Sequence, residues 1–247
     1  MPLMVFAETN TLAYNVTNNT VVVGSLESPE VSIASISKLM TVYTVLKLEQ
    51  DLNEVLTVTS NKTPNTVLSK GMTLTRRELI DLALVYSDNI AAITLSENYS
   101  NGRASFVHKM NEFARELNMN NSGFVEPTGL SPMNYSTLAD IVKLTTAVSA
   151  FDIVKSAAQS SQVSFVQPFK LKKKTVYRTV TRNPTTRYFG KEGIITVKTG
   201  FTKAAGFCIT MLVNANNQLF NITVLGAKTK QERQRLVDNM LRDIYNA

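Results

Sequence analysis

Strand-forming sequence stands at both ends of this chain and helix-forming sequence lies between them. This order calls for one antiparallel sheet assembled from the two ends. Leu12–Val16 and Val21–Ser25 read as short strands joined by Thr17-Asn18-Asn19-Thr20, where asparagine tolerates the positive φ of a tight turn. Far along the chain, Val163–Val166, Lys174–Val180 and Ile194–Lys198 are again β-rich, and Gly206–Asn214 and Gln218–Gly226 form a hairpin over Ala215-Asn216-Asn217. Between these ends, Leu39, Val42, Tyr43, Leu46 and Leu48 keep roughly helical spacing from Ser35 onward. Leu56–Thr59 can form a short strand. Thr75 and Glu78 make a capping box ahead of Leu79, Leu82, Ala83 and Tyr86. Further helices are predicted over Ile90–Tyr99, Ala104–Leu117 and Ser136–Ser149, with a loop at Glu126–Pro132. A last helix over Gln231–Tyr245 carries an apolar stripe that suits packing on the sheet. The expected fold class is α/β in the α+β sense. A single domain spans 8–247, with a helical lobe inserted at roughly 60–155 and the site in the cleft between sheet and lobe.

At 247 residues and 44% apolar composition the chain can bury one substantial core. A single cysteine, Cys208, excludes an internal disulfide and sits in an apolar run. A single histidine, His108, flanks a helix, and together they exclude a zinc site built from several histidines and cysteines. No metal or cofactor is expected, and the base is not expected to be histidine. The net charge of +7 favours anionic partners, and its one dense run is Lys170, Lys172, Lys173, Lys174 and Arg178, which reads as a solvated hairpin. No nucleic-acid motif accompanies it, so no nucleic-acid partner is expected. No stretch is long and apolar enough to span a bilayer. Residues 1–7 are almost wholly apolar and end in Val5-Phe6-Ala7, which fits either the tail of a cleaved export signal or an ordinary N-terminal segment, since no basic leader precedes it.

Three short motifs carry chemistry. In Ser35-Ile36-Ser37-Lys38 the spacing brings Ser35 and Lys38 together at a helix start among apolar flanks. A lysine can take the serine proton only if burial or a second cation lowers its pKa. Ser87-Asp88-Asn89 separates two helices, and each of its residues also caps well. Lys198-Thr199-Gly200 closes an apolar strand. Singly each motif is weak. In this order they match the motif set of penicillin-binding proteins and class A β-lactamases. The parts divide the labour of acyl transfer. Ser35 attacks a carbonyl whose oxyanion takes the backbone N–H groups of Ser35 and Phe201. Ser87 passes a proton to the leaving amine, with Lys38 and Lys198 on either side lowering the cost of its alkoxide. Asn89 holds Lys38 and the substrate amide, and Lys198 and Thr199 bind a carboxylate. Gly200 lets a strand edge approach closely.

The chain resembles the D-alanyl-D-alanine carboxypeptidase family, the low-molecular-weight penicillin-binding proteins. The resemblance is carried by Ala34–Thr41, by Phe124–Ser131 with Ser136, Thr137 and Asp140, and by Lys198–Thr202 with Ala204-Ala205-Gly206. The last two stretches look most like the short D,D-endopeptidase branch, which cuts D-alanyl-diaminopimelate cross-bridges. The resemblance implies a β-lactamase/transpeptidase-like fold and a hydrolase of peptidoglycan peptides acting through an acyl-enzyme on Ser35. It also implies covalent inhibition by β-lactams and action in the periplasm or outside the cell. Ser35, Lys38, Ser87 and Asn89 are then catalytic, with Lys198, Thr199, Gly200 and Phe201 binding substrate. Family members often carry a second β-rich domain and an amphipathic anchor. With neither recognised after the last helix, a soluble monomer is expected.

Three alternatives compete. Glu126-Pro127 suggests a class A-like β-lactamase, although the following Thr128-Gly129-Leu130 departs from the leucine–asparagine pair of that class. A non-catalytic wall-binding module would keep the fold without turnover. A polyanion binder would use the Lys170–Arg178 run.

Overall fold

A computed structural model describes residues 8–61, 63–171 and 174–246. The Met1–Ala7 segment read as a signal remnant lies outside the described residues, as do Lys172 and Lys173 and the side chains of Lys170 and Lys174. In chain order the elements are β1 (Asn10–Asn15), β2 (Thr20–Gly24), β3 (Val31–Ser32), a 3-10 turn at Ala34–Ile36 and α1 (Ser37–Lys47). Then follow β4 (Val55–Thr57), β5 (Thr73–Thr75), α2 (Arg76–Asp81), a π-helical turn at Leu82–Tyr86, α3 (Asn89–Glu97) and α4 (Gly102–Glu116). The chain continues through β6 (Tyr135–Ser136), α5 (Leu138–Val148), α6 (Asp152–Gln159), β7 (Val163–Leu171) and β8 (Lys174–Arg182). It ends with β9 (Ile194–Thr202), β10 (Gly206–Ala215), β11 (Gln218–Ala227) and α7 (Lys230–Asn246).

The expected sheet from both chain ends is present, but β7 and β8, expected among its strands, stand apart and pair with each other. The sheet's order is β2-β1-β11-β10-β9, all antiparallel, with Leu12 opposite Thr223 and Lys198 opposite Thr210. β10 and β11 are buried on both faces, because helices cover both. On one side α5 reaches the sheet through Thr145 Oγ1 to Thr210 Oγ1 at 3.0 Å and Ser149 Oγ to Thr196 Oγ1 at 2.6 Å. On the other side α7 lays Val237, Met240 and Ile244 against it. Strands buried on both faces read as continuous apolar runs rather than as an alternation, which is how β10 and β11 read. β9 is an edge strand, with its outer backbone open to the cleft.

Several elements differ from the sequence reading. The β10–β11 turn is the two-residue Asn216-Asn217 at φ 51° and 60°, the double positive φ that suits a hairpin, so Ala215 belongs to the strand. β9 runs on past Lys198 to Thr202. The predicted helix after Thr75 begins with its capping box intact, then widens into the π turn and stops at Ser87. Ser35 is not on the helix proper but in the 3-10 turn before it. α6 and β5 were not foreseen, although the short strand expected at Leu56–Thr59 is present as β4 and pairs with β5. Cys208 is fully buried, with its thiol raised to about 11 by desolvation, as a core residue should be. His108 stands on α4 beside Glu112, largely exposed.

Candidate active site

The site forms where the 3-10 turn, the α2–α3 junction and the edge of β9 meet in a cleft of ≈420 Å³. Ile33 N–H donates to Asn134 O at 3.2 Å, and Ala34 takes a left-handed φ of 47°. Such strain in a non-glycine residue concentrates at functional sites. The turn presents Ser35 at the cleft and sends Lys38 inward to zero exposure. Lys38 Nζ lies 2.8 Å from Ser35 Oγ, 2.7 Å from Asn89 Oδ1 and 2.8 Å from Thr128 O. Burial lowers its pKa from 10.5 to about 7, partly offset by the negative charges of Glu126 and Asp88. A neutral amine there donates two hydrogens to Asn89 and Thr128 and keeps its lone pair for the Ser35 hydroxyl.

The Glu126–Ser131 loop sets the Thr128 carbonyl in place. The Glu126 carboxylate accepts from Thr128 N at 2.7 Å, Thr128 Oγ1 at 2.6 Å, Gly129 N at 2.6 Å and Ser131 N at 3.3 Å. Thr41 Oγ1 on α1 donates to Pro127 O at 2.7 Å. Gly129, at φ 80°, packs so tightly that a Cβ would sit 1.8 Å from Ala34 O and 2.9 Å from Ser35 N. Only glycine fits there. Glu126 is therefore spent on its own loop and not free to activate water, which removes the ground for the β-lactamase alternative.

Ser87 ends the π turn in the left-handed region at φ 63°. Its Oγ accepts from Lys198 Nζ at 2.8 Å, so the second motif contacts the third directly. Asp88 caps α3 by accepting from Ala91 N at 2.9 Å, and it also accepts from Val67 N at 2.7 Å and Thr66 Oγ1 at 2.9 Å. Asn65 Nδ2 donates to Ser87 O at 2.8 Å, and Asn89 Nδ2 donates to Pro64 O at 2.6 Å. A loop at 64–67 thus fastens the Ser87–Asn89 motif and supplies Pro64 and Asn65 to the cleft wall. It also takes up one of the Asn89 amide hydrogens that the sequence reading reserved for substrate.

Lys198 is fully buried, and desolvation, then Lys38, then Arg233 hold its pKa well below 10.5. Gly200 lies so close to the serine turn that a Cβ would meet Ser35 N at 2.9 Å. Thr199 Oγ1 donates to Thr185 Oγ1 at 2.8 Å. The sequence reading missed Arg233. It is 4% exposed, lines the cleft and donates through Nη1 to Cys208 O at 3.3 Å, while its Nε has no hydrogen-bond partner among the described residues. The signal was present, because residue 233 continues the α7 stripe of 237, 240 and 244, and an arginine on a buried stripe is unusual. All eight predicted site residues come together here; His108 stands on α4, largely exposed, and Cys208, on β10 opposite Gly200, is buried in the core. Among the described residues no cluster of His, Cys, Asp and Glu could hold a metal ion.

A five-stranded sheet with a serine turn packed on its edge strand and two buried lysines on either side of the serines is the architecture of the penicillin-recognising serine enzymes. Comparison with known proteins agrees. The family model described as D-alanyl-D-alanine carboxypeptidase, peptidase S11, matches residues 6–229, and the chain belongs to this family. It is 36% identical over 207 residues to a D-alanyl-D-alanine endopeptidase of Escherichia coli K12, covering 79% of this chain and 63% of that protein. It is 37% identical over 205 residues to a D-alanyl-D-alanine endopeptidase of Pseudomonas aeruginosa, covering 80% and 64%. The chain therefore spans a little under two thirds of the length of these curated relatives. Among solved structures, the Streptomyces K15 DD-transpeptidase superposes with a TM-score of 0.85 at 22% identity, over 96% of this chain and 97% of that one. Penicillin-binding protein D2 of Listeria monocytogenes, in its ampicillin-bound form, gives 0.79 at 24%, over 95% and 96%. These two likenesses establish the fold.

Proposed function

We propose that the chain is a serine D,D-peptidase that hydrolyses D-alanyl peptide bonds of peptidoglycan through an acyl-enzyme on Ser35, with cross-bridges as its principal substrate. The observation that carries the reading is the buried Lys38 amine 2.8 Å from Ser35 Oγ, with its pKa near neutrality. In the forward step neutral Lys38 takes the Ser35 proton, and Oγ attacks the carbonyl of the D-alanyl bond. The oxyanion is received by the N–H groups of Ser35 and Phe201. As the C–N bond breaks, Ser87, held by Lys198, gives its hydroxyl proton to the leaving amine and receives in its place the proton that Lys38 took from Ser35, which leaves Lys38 neutral again. Lys198, Thr199 and Arg233 receive the carboxylate of the leaving D-amino acid. Water then hydrolyses the ester by the same route in reverse.

The preference for cross-bridges is supported by the two relatives named endopeptidases. β-Lactams, which imitate the D-alanyl bond, would acylate Ser35. A peptidoglycan substrate calls for an exported protein acting at the cell wall. Among the described residues no helix is long and apolar enough to cross a membrane. Incubation with a pentapeptide monomer ending in D-Ala-D-Ala and with a cross-linked dimer, followed by mass spectrometry, tests the reading. Splitting of the dimer is expected. Loss of one alanine from the monomer alone would make the protein a carboxypeptidase, and no change in either would sink the substrate assignment.

A further inference from the structure

The cleft does not end at the carboxylate position. Side chains alternate between the two faces of a strand. Lys198 and Gly200 turn toward the serines, so Thr199 and Phe201 turn to the face that α7 covers, where Arg233 lies. Phe201 stands directly opposite Phe207, and the two rings stack at 4.2 Å between centroids and 28° between planes. Phe201 is nevertheless 55% exposed, and Leu130, 42% exposed, stands among the residues lining the same cleft. The result is a flat aromatic surface next to the carboxylate-binding groups. It is open at its outer edge rather than closed into a pocket.

This geometry bears on which leaving group fits, and it rests on the D,D-peptidase reading. Every leaving group of that reaction is a D-amino acid with a free carboxylate. Candidates differ only beyond the α-carbon, where D-alanine has a methyl and a cross-bridging diamino acid has a trimethylene chain. With the carboxylate fixed by Thr199 and Arg233, the side chain projects beside Phe201. A methyl would cover little of the ring, whereas an unbranched chain would lie along it and continue out through the open edge. We propose that the stacked Phe201–Phe207 pair is a leaving-group subsite for an unbranched aliphatic side chain.

The test uses blocked peptides ending in D-Ala-D-Xaa, with Xaa alanine, norvaline or norleucine. For the unmodified protein, kcat/KM should rise with chain length, about tenfold across the series, which is only the lower end of what a single methylene is worth in a closed pocket because this surface is open at its outer edge. Phe201→Ala should flatten the series whatever loss is common to all its members, and Phe201→Tyr should restore the slope. A flat or falling series in the unmodified protein overturns the subsite, as does a slope that survives Phe201→Ala. Competition of the same peptides against fluorescent penicillin at Ser35 separates this inference from the reading beneath it. Protection that rises with chain length without cleavage keeps the subsite and removes the peptidase activity. Protection independent of length overturns the subsite irrespective of turnover.

Discussion

The pH dependence of acylation follows directly from the burial of Lys38. The general base must be neutral, and desolvation lowers its pKa from 10.5 to about 7. At neutral pH an ordinary lysine would be neutral in only about one molecule in 3,000, whereas here about half the molecules carry a free amine. The gain in competent base is on the order of 1,000-fold, or roughly 5 kcal/mol of differential solvation. The sign is fixed. Acidification protonates Lys38, so the second-order rate constant for penicillin acylation should fall about tenfold per pH unit below 7 and level off above about 8. Stopped-flow or quenched labelling with a fluorescent penicillin between pH 5 and 9 measures it. Lys38→Ala should lower the plateau by ~100- to 10,000-fold and abolish this limb. A profile flat over the range, or still climbing toward pH 10, would refute the reasoning, because either would mean that buried Lys38 is not the group that takes the proton.

Gly129→Ala should destabilise the protein by ~2–3 kcal/mol, seen as a lowered urea midpoint, because a Cβ would collide with the Ala34 carbonyl at a positive φ. Acylation should fall with it, since Ser35 N lies against the same atom. Glu126→Gln should weaken the fold by ~1–3 kcal/mol through lost loop hydrogen bonds. It should not slow breakdown of the penicillin adduct, and a marked slowing would restore the β-lactamase alternative. Arg233→Gln should cut kcat/KM for peptides with a free terminal carboxylate by ~10- to 100-fold, the worth of a hydrogen bond to a charged group. An equal effect on a peptide amide would contradict its role.

The sequence carried more of the site than of the cleft around it. Ser35 and Lys38 are three residues apart, and their apolar flanks announce burial. The hairpin asparagines 216 and 217 announce their turn through backbone chemistry alone. What could not be read depended on contacts distant in sequence. Nothing local to Pro64–Val67 shows that this loop fastens Ser87 and Asn89, because the partners lie more than twenty residues on. Glu126 looked like a catalytic carboxylate because spacing says nothing about how its oxygens are occupied. α6 went unseen because it is only eight residues long, so its stripe of Ile153, Val154, Ala157 and Ala158 spans little more than two turns and gives a sequence window too little to repeat in. That Lys198 stands on an edge strand is a matter of topology, and it is what turns an ordinary strand end into a binding surface.

The most direct test of the central claim, that Ser35 is the nucleophile activated by Lys38, is the intact mass of the protein after exposure to benzylpenicillin. Peptide mapping then locates any adduct. One penicilloyl group on the Ser35 peptide, lost in Ser35→Ala with the circular dichroism spectrum unchanged, is predicted. An adduct elsewhere, or one that persists in Ser35→Ala, would contradict it.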